Sequence, residues 1–196
     1  MAGYIGNAWG RDLNSPGSAG LARKPSQKPK RFAVNYHLLR LEKGAPRIRV
    51  QVWLDDGEPV AESNAILCYL AEGTPFLPDD HYERAQVLQW LFFEQYDLEP
   101  NIAVARFWLA VSGTPERWAA ELPAKQEAGY RTLAAMERHL AEHQFLVGER
   151  YTVADIALYG YTNVAEEGGL ELGRFPAVET WLARVASRPR HIPIDG

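Results

Sequence analysis

Cysteine is nearly missing from this sequence: Cys68 is the single one in 196 residues. One thiol excludes an internal disulfide framework and any thiolate cluster that would hold zinc or iron and sulfur, and it points to a reducing compartment. Long apolar runs are missing as well. None approaches the roughly 20 residues of a membrane-spanning helix, and no apolar core follows a basic start at the N-terminus. The expectation is a soluble, cytoplasmic protein with no export signal and no membrane partner. The sequence also lacks a P-loop, a dinucleotide glycine fingerprint and a Ser-His-Asp arrangement.

What is present is ordinary in bulk, with 46% hydrophobic and 23% charged residues in 22.0 kDa. That is room for one domain or two small ones. The net charge of −4 conceals a split. Residues 1–50 hold ten Lys or Arg against Asp12 and Glu42, a balance of +8, while residues 51–196 hold eleven basic against 23 acidic, a balance of −12.

In the basic head, Gly, Pro, Ser and Lys dominate from Gly10 to Lys30, and Asn14-Ser15-Pro16-Gly17-Ser18 offers turn chemistry with nothing apolar to bury. Loop or disorder is expected there. Strand candidates follow at Arg31 to Leu41, where Phe32, Val34, Tyr36 and Leu38 alternate, and at Ile48 to Leu54. Such a head suits either phosphate neutralisation or a solvated arm. Its charges cluster on no helix and few aromatics interleave with them, so a nucleic-acid partner is not expected.

The acidic body reads as helical. Asp55-Asp56-Gly57 is a tight turn, and Glu58-Pro59-Val60 leads the chain towards a helix over residues 62–72, ended by Gly73 and Pro75. A Pro-rich linker follows at 75–80. The next helix starts near Glu83, with Val87/Leu91, Leu88/Phe92 and Phe92/Tyr96 one turn apart forming a broad apolar face. Pro100 should kink or interrupt it, and Ile102 to Val111 carries it on. Another helix spans 115–142, with Pro123 a break near its start and Tyr130, Leu133, Met136 and Leu140 as its stripe. Thr152-Val153-Ala154-Asp155 forms a capping box with Tyr151 and Ile156 as its staple, a firm helix start. The last helix, over 176–187, carries Val178, Trp181, Leu182 and Val185 on one face. His139-Leu140-Ala141-Glu142-His143 matches a zinc-binding spacing and equally the wet end of an amphipathic helix; no third ligand is evident and no metal is expected. Cys68 reads as a core thiol.

Glu62-Ser63-Asn64-Ala65-Ile66 behind a strand and an Asp-Asp-Gly turn, followed by the Pro-rich linker and a helical unit with a Thr152/Asp155 capping box, resembles the cytosolic glutathione transferase family over roughly residues 50–190. The resemblance implies an α/β plus all-α fold: a thioredoxin-like N-terminal domain, here partial or altered, and an all-helical C-terminal domain. Residues 1–74 would be the glutathione-binding domain, with 1–50 atypical, 75–80 the linker and 81–196 the helical domain. It further implies a homodimer that conjugates the thiolate of glutathione, its co-substrate, to a small electrophile.

A helix start with a hydroxyl and free amides suits the γ-glutamyl carboxylate of glutathione, and an adjacent acid suits its ammonium. By resemblance, Ser63 and the amides hold that carboxylate while Glu62 helps to place the group. Val50 and Gln51 take the positions of the family's Val-Pro strand start, and neither is a proline. The family activates the thiol with a Ser, Tyr or Cys after its first strand; Tyr4, Ser15 and Ser18 lie in that stretch, Ser15 the best placed of them. None is followed by an amphipathic helix. Tyr96, Arg106 and Trp108, around the Pro100 kink, would line the electrophile pocket, with Arg106 either stabilising an anion or pairing with Glu94 or Glu99. A non-catalytic member of the same architecture, serving dimerisation or protein interaction, fits the missing proline and hydroxyl too. A head out of frame or replaced upstream of an ordinary body would account for both.

Overall fold

The computed structural model describes residues 35–39, 48–55, 58–189 and 191–192. These begin with three antiparallel strands in the order β1-β2-β3: β1 Asn35–Leu39, β2 Ile48–Asp55 and β3 Glu58–Ala61. The sequence predicts a direct run from the turn into a helix. Instead Glu58 pairs with Asp55 and Pro59 with Leu54, closing a hairpin. Pro59 is tolerated because β3 is an edge strand of the described sheet, where a missing amide leaves no ladder bond unmade on the outer side.

Helix α1, Ser63–Ala71, follows without a break and ends before Gly73, whose φ of +73° is the left-handed conformation that favours glycine. Helix α2, His81–Phe93, starts two residues ahead of the expected Glu83, because the Asp80 carboxylate accepts from the amides of Tyr82 and Glu83, each at 3.0 Å. The interruption that Pro100 could have caused does not occur. The helix runs on to Val111 by widening its winding: Glu94–Ala103 and Phe107–Val111 are π-type, separated by one α-helical turn at Val104–Arg106. A proline lacks the amide of an α-helical bond and its ring crowds the preceding turn; the wider π turn relieves both. Thr132 and Asn101 side chains donate to the Asp97 carbonyl in this stretch, at 3.1 and 2.7 Å.

The break expected near Pro123 is present: residues 119–121 form a turn between two helical pieces. A short 3-10 turn at Pro115–Trp118 precedes α3, Leu122–Leu140, and Pro123 stands in its first turn, where an amide has no intrahelical partner to lose. Helix α4 is Val153–Thr162 and α5 is Pro176–Ala186.

One core joins these helices. Val87, Leu91, Leu98, Ile102, Leu133, Met136, Leu158, Val178 and Trp181 are buried in it, and Ala71 of α1 and Leu77 of the linker belong to the same cluster. The broad apolar face expected of α2 splits. Val87 and Leu91 point inward, while Phe92 is 71% and Tyr96 85% exposed, with Leu88 partly exposed beside them.

The capping box is the polar anchor of the core. Asp155, fully buried, accepts from the Thr152 amide at 2.9 Å, from the Leu146 amide at 3.1 Å and from the Trp181 indole at 2.9 Å. Thr152 Oγ1 in turn accepts from the Ala154 amide at 3.3 Å. Burial pushes the Asp155 carboxyl above the usual carboxylate range, and these donors pull it back. Among the described residues no helix is long and apolar enough to cross a membrane.

Candidate functional site

Between β3 and α1 the backbone is strained. Glu62 has φ +72° and ψ 123°, and no other described non-glycine residue has a positive φ. A side chain held there costs of order 1–3 kcal/mol and persists only where its surroundings demand it, a signature of ligand sites. Glu62 and Ser63 are both exposed. No side chain caps the helix, and the first main-chain bond at its start is from the Ile66 amide to the Glu62 carbonyl at 2.9 Å. The amides ahead of Ile66 thus have no main-chain partner in the helix, and Ser63 is its first residue.

Asn64, the next residue, ties this start to the long helix. Its Nδ2 donates to the Leu91 carbonyl at 3.0 Å and to Glu94 Oε2 at 2.7 Å. Glu94 also accepts from Gln95 at 2.8 Å. It is 2% exposed, a buried acid on a helix otherwise rich in exposed charge. Burial pushes its carboxyl up, the bonds from Gln95 and Asn64 pull it down, and the neighbouring Glu99 pushes it up again. The spacing held the signal: 94 falls on the buried stripe 87, 91, 98, 102.

One helical turn beyond Glu94, a cavity of about 390 Å³ opens, lined by Glu99, Ala103, Arg106, Phe107, Trp108 and Tyr161 among others. Arg106 and Trp108 line it as expected of an electrophile pocket, whereas Tyr96 points to solvent outside it. Arg106 pairs with neither Glu94 nor Glu99. Its Nε donates to Glu167 Oε2 at 2.7 Å, across 61 residues of sequence. Gly168 permits this approach, since a Cβ there would stand 3.0 Å from the Arg106 amide nitrogen. Trp108 is stacked on Trp118 with centroids 4.9 Å apart and rings 4° from parallel.

Val50 and Gln51 lie in β2, paired with His37 and Tyr36 of β1. Tyr4, Ser15 and Ser18 lie outside the described residues. His139 and His143 stack at 4.3 Å, burial lowers the His139 pKa, and among the described residues no group of three or more His, Cys, Asp or Glu is placed to hold a metal. Cys68 is half-buried against the core; burial pushes its thiol up, Arg84 pulls it down and Glu72 pushes it up.

The sequence family described as "Glutathione S-transferase, C-terminal domain" matches residues 100–189. A crystal structure of a glutathione S-transferase from Pseudomonas fluorescens is 51% identical and superposes with a TM-score of 0.71, covering 74% of this chain and 72% of that one. The chain belongs to the glutathione S-transferase family. It is also similar to the disulfide-bond oxidoreductase YfcG of Escherichia coli, at 35% identity over 138 residues, which is 69% of this chain and 63% of that protein. Of two further curated relatives it spans 47% and 52%. A glutathione transferase from Burkholderia graminis, crystallised with two glutathione molecules per subunit, is 26% identical with a TM-score of 0.61 over 72% of this chain and 63% of that one. The α/β plus all-α class read from the sequence is therefore that of the glutathione S-transferases.

Proposed function

We propose that this chain binds glutathione at the start of α1 and transfers its thiolate to a small electrophile held in the cavity under Arg106 and Trp108. The observation that carries this is the Asn64 clamp: the residue after Ser63 is bonded to Glu94, one turn from the helix segment that walls the cavity. A thiol whose γ-glutamyl end is anchored beside that clamp has its sulfur end free to approach the cavity, and holding both reactants together is most of what such a reaction needs. Glutathione bound in the Burkholderia graminis relative supports the choice of thiol. Ser63 with the free amides receives the carboxylate and Glu62 the ammonium; Val50 and Gln51 of β2 lie along the cysteinyl part, and Ser15 is the residue proposed to donate to the sulfur.

The proposal includes a glutathione domain over 1–74, a linker over 75–80, a helical domain over 81–196, a cytoplasmic setting and a homodimer. The exposed stripe Leu88, Phe92 and Tyr96 supports the dimer, because a row of large apolar side chains on one helix face is what a partner would cover. A second reading, a non-catalytic module of the same fold, is favoured by Gln51 standing where the family has proline.

Retention on immobilised glutathione, followed by conjugation of a generic aromatic electrophile, tests the enzyme. Retention lost in Ser63→Ala together with measurable turnover in the unaltered chain is expected. Retention without turnover supports the module, and neither retention nor turnover sinks the enzyme.

A further inference from the structure

The cavity's charge is the reverse of what its arginine suggests. Arg106 is the only cation lining it among the described residues, and its guanidinium is neutralised by Glu167 at 2.7 Å. Glu99, on the same wall, has no ion pair among the described residues. Its carboxylate acts on Tyr161 across the cavity: the phenol pKa is raised first by burial, then by Glu99 and Glu94, with Arg106 opposing. Tyr161 therefore stays neutral and adds no charge of its own. The one charge left unpaired on the wall is the Glu99 carboxylate, and the cavity is also lined by the rings of Phe107 and Trp108, the latter fixed by its stack on Trp118. A cavity that holds an unpaired carboxylate and aromatic rings attracts cations through charge and through the rings' negative faces, and it repels anions.

From this we infer that the cavity selects electrophiles whose aromatic body is cationic or uncharged, and discriminates against anionic ones. The inference rests on the proposed function only in assigning the cavity to the electrophile. In the reaction, the glutathione thiolate attacks a benzylic carbon, a C–S bond forms, the C–Br bond breaks and its electron pair leaves as bromide. The ring substituent that carries charge takes no part in the bond changes.

The test uses benzyl bromides with a para trimethylammonio or a para sulfonate group, each rate taken relative to its uncatalysed reaction with glutathione. A preference of at least about tenfold for the cation in kcat/KM is expected, equivalent to about 1.4 kcal/mol. Glu99→Gln should bring that ratio to within about threefold of unity. Glu167→Gln, which frees the Arg106 charge, should move it towards the sulfonate. No preference, a preference for the sulfonate, or a ratio unmoved by Glu99→Gln overturns the inference.

Should the chain turn over neither compound, the proposed function fails while the inference is still decided by calorimetry. Benzyltrimethylammonium should bind more tightly than benzenesulfonate, and Glu99→Gln should erase the difference. Equal affinities, or no binding of either, overturn it.

Discussion

Glu62 carries a bulky side chain in a backbone conformation that only glycine adopts freely, directly before the helix start proposed to hold glutathione. Replacing it with glycine releases the strain but adds unfolded-chain entropy, and the two largely offset, leaving a net gain of up to about 1 kcal/mol. Glu62→Gly should therefore keep or raise the denaturant midpoint while weakening glutathione retention; a clear loss of stability would show that the conformation is not strained. Glu94 supplies a pH dependence. Its carboxyl titrates above its ordinary 4.5 in the fold, so between those two values the folded chain holds a proton that the unfolded chain has released. Stability from this group is full below its ordinary value and is lost as the pH climbs through the raised one. Glu94→Gln keeps an oxygen for Asn64 without the charge, and its urea midpoint should vary less than that of the unaltered chain between about pH 5 and pH 8. Asp155 differs because four donors aim at it, the Thr152 hydroxyl among them. Asp155→Ala leaves the Trp181 indole and the Leu146 and Thr152 amides unpartnered in the core, at a cost of about 3–5 kcal/mol in urea unfolding.

The helix starts show which signals a sequence carries on its surface. Thr152 and Asp155 satisfy each other within four residues, so the start of α4 could be read locally, and so could the glycine and proline punctuation around Gly73 and Pro176. Asp80 makes the same kind of cap, yet the Pro-rich segment around it masked the start of α2. Asp80→Ala should lower stability by about 1 kcal/mol, and Asp80→Ser should recover most of it, as read by thermal or urea unfolding. Pro123 was legible as the break at the start of α3, whereas Pro100 was legible as a residue but not in its effect. Whether a proline breaks a helix depends on the winding around it, and the π-type stretch over Glu94–Ala103 is sustained by tertiary partners such as Thr132. Strand β3 escaped notice for a related reason: four residues with a proline among them become a strand only when β2 is there to pair with.

At the scale of the molecule, the family and the helical architecture could be read from the order of motifs, while the site's wiring could not. Asn64 meets Glu94 across 30 residues and Arg106 meets Glu167 across 61. Neither contact leaves a local trace, so neither Glu94 nor Glu99, the acids offered as possible partners of Arg106 by proximity in sequence, is the one it meets. If the dimer forms through Leu88, Phe92 and Tyr96, Phe92→Glu should convert it to a monomer in sedimentation; a monomeric unaltered chain would refute that interface. The continuous helix from His81 to Val111 gives this experiment a wider reach. Along it lie in turn the exposed stripe, the Glu94 clamp and the cavity wall. If a partner covers the stripe, its loss is felt along this same helix, and the Phe92→Glu variant, though its residue is absent from the cavity lining, should change the KM for the electrophile more than that for glutathione.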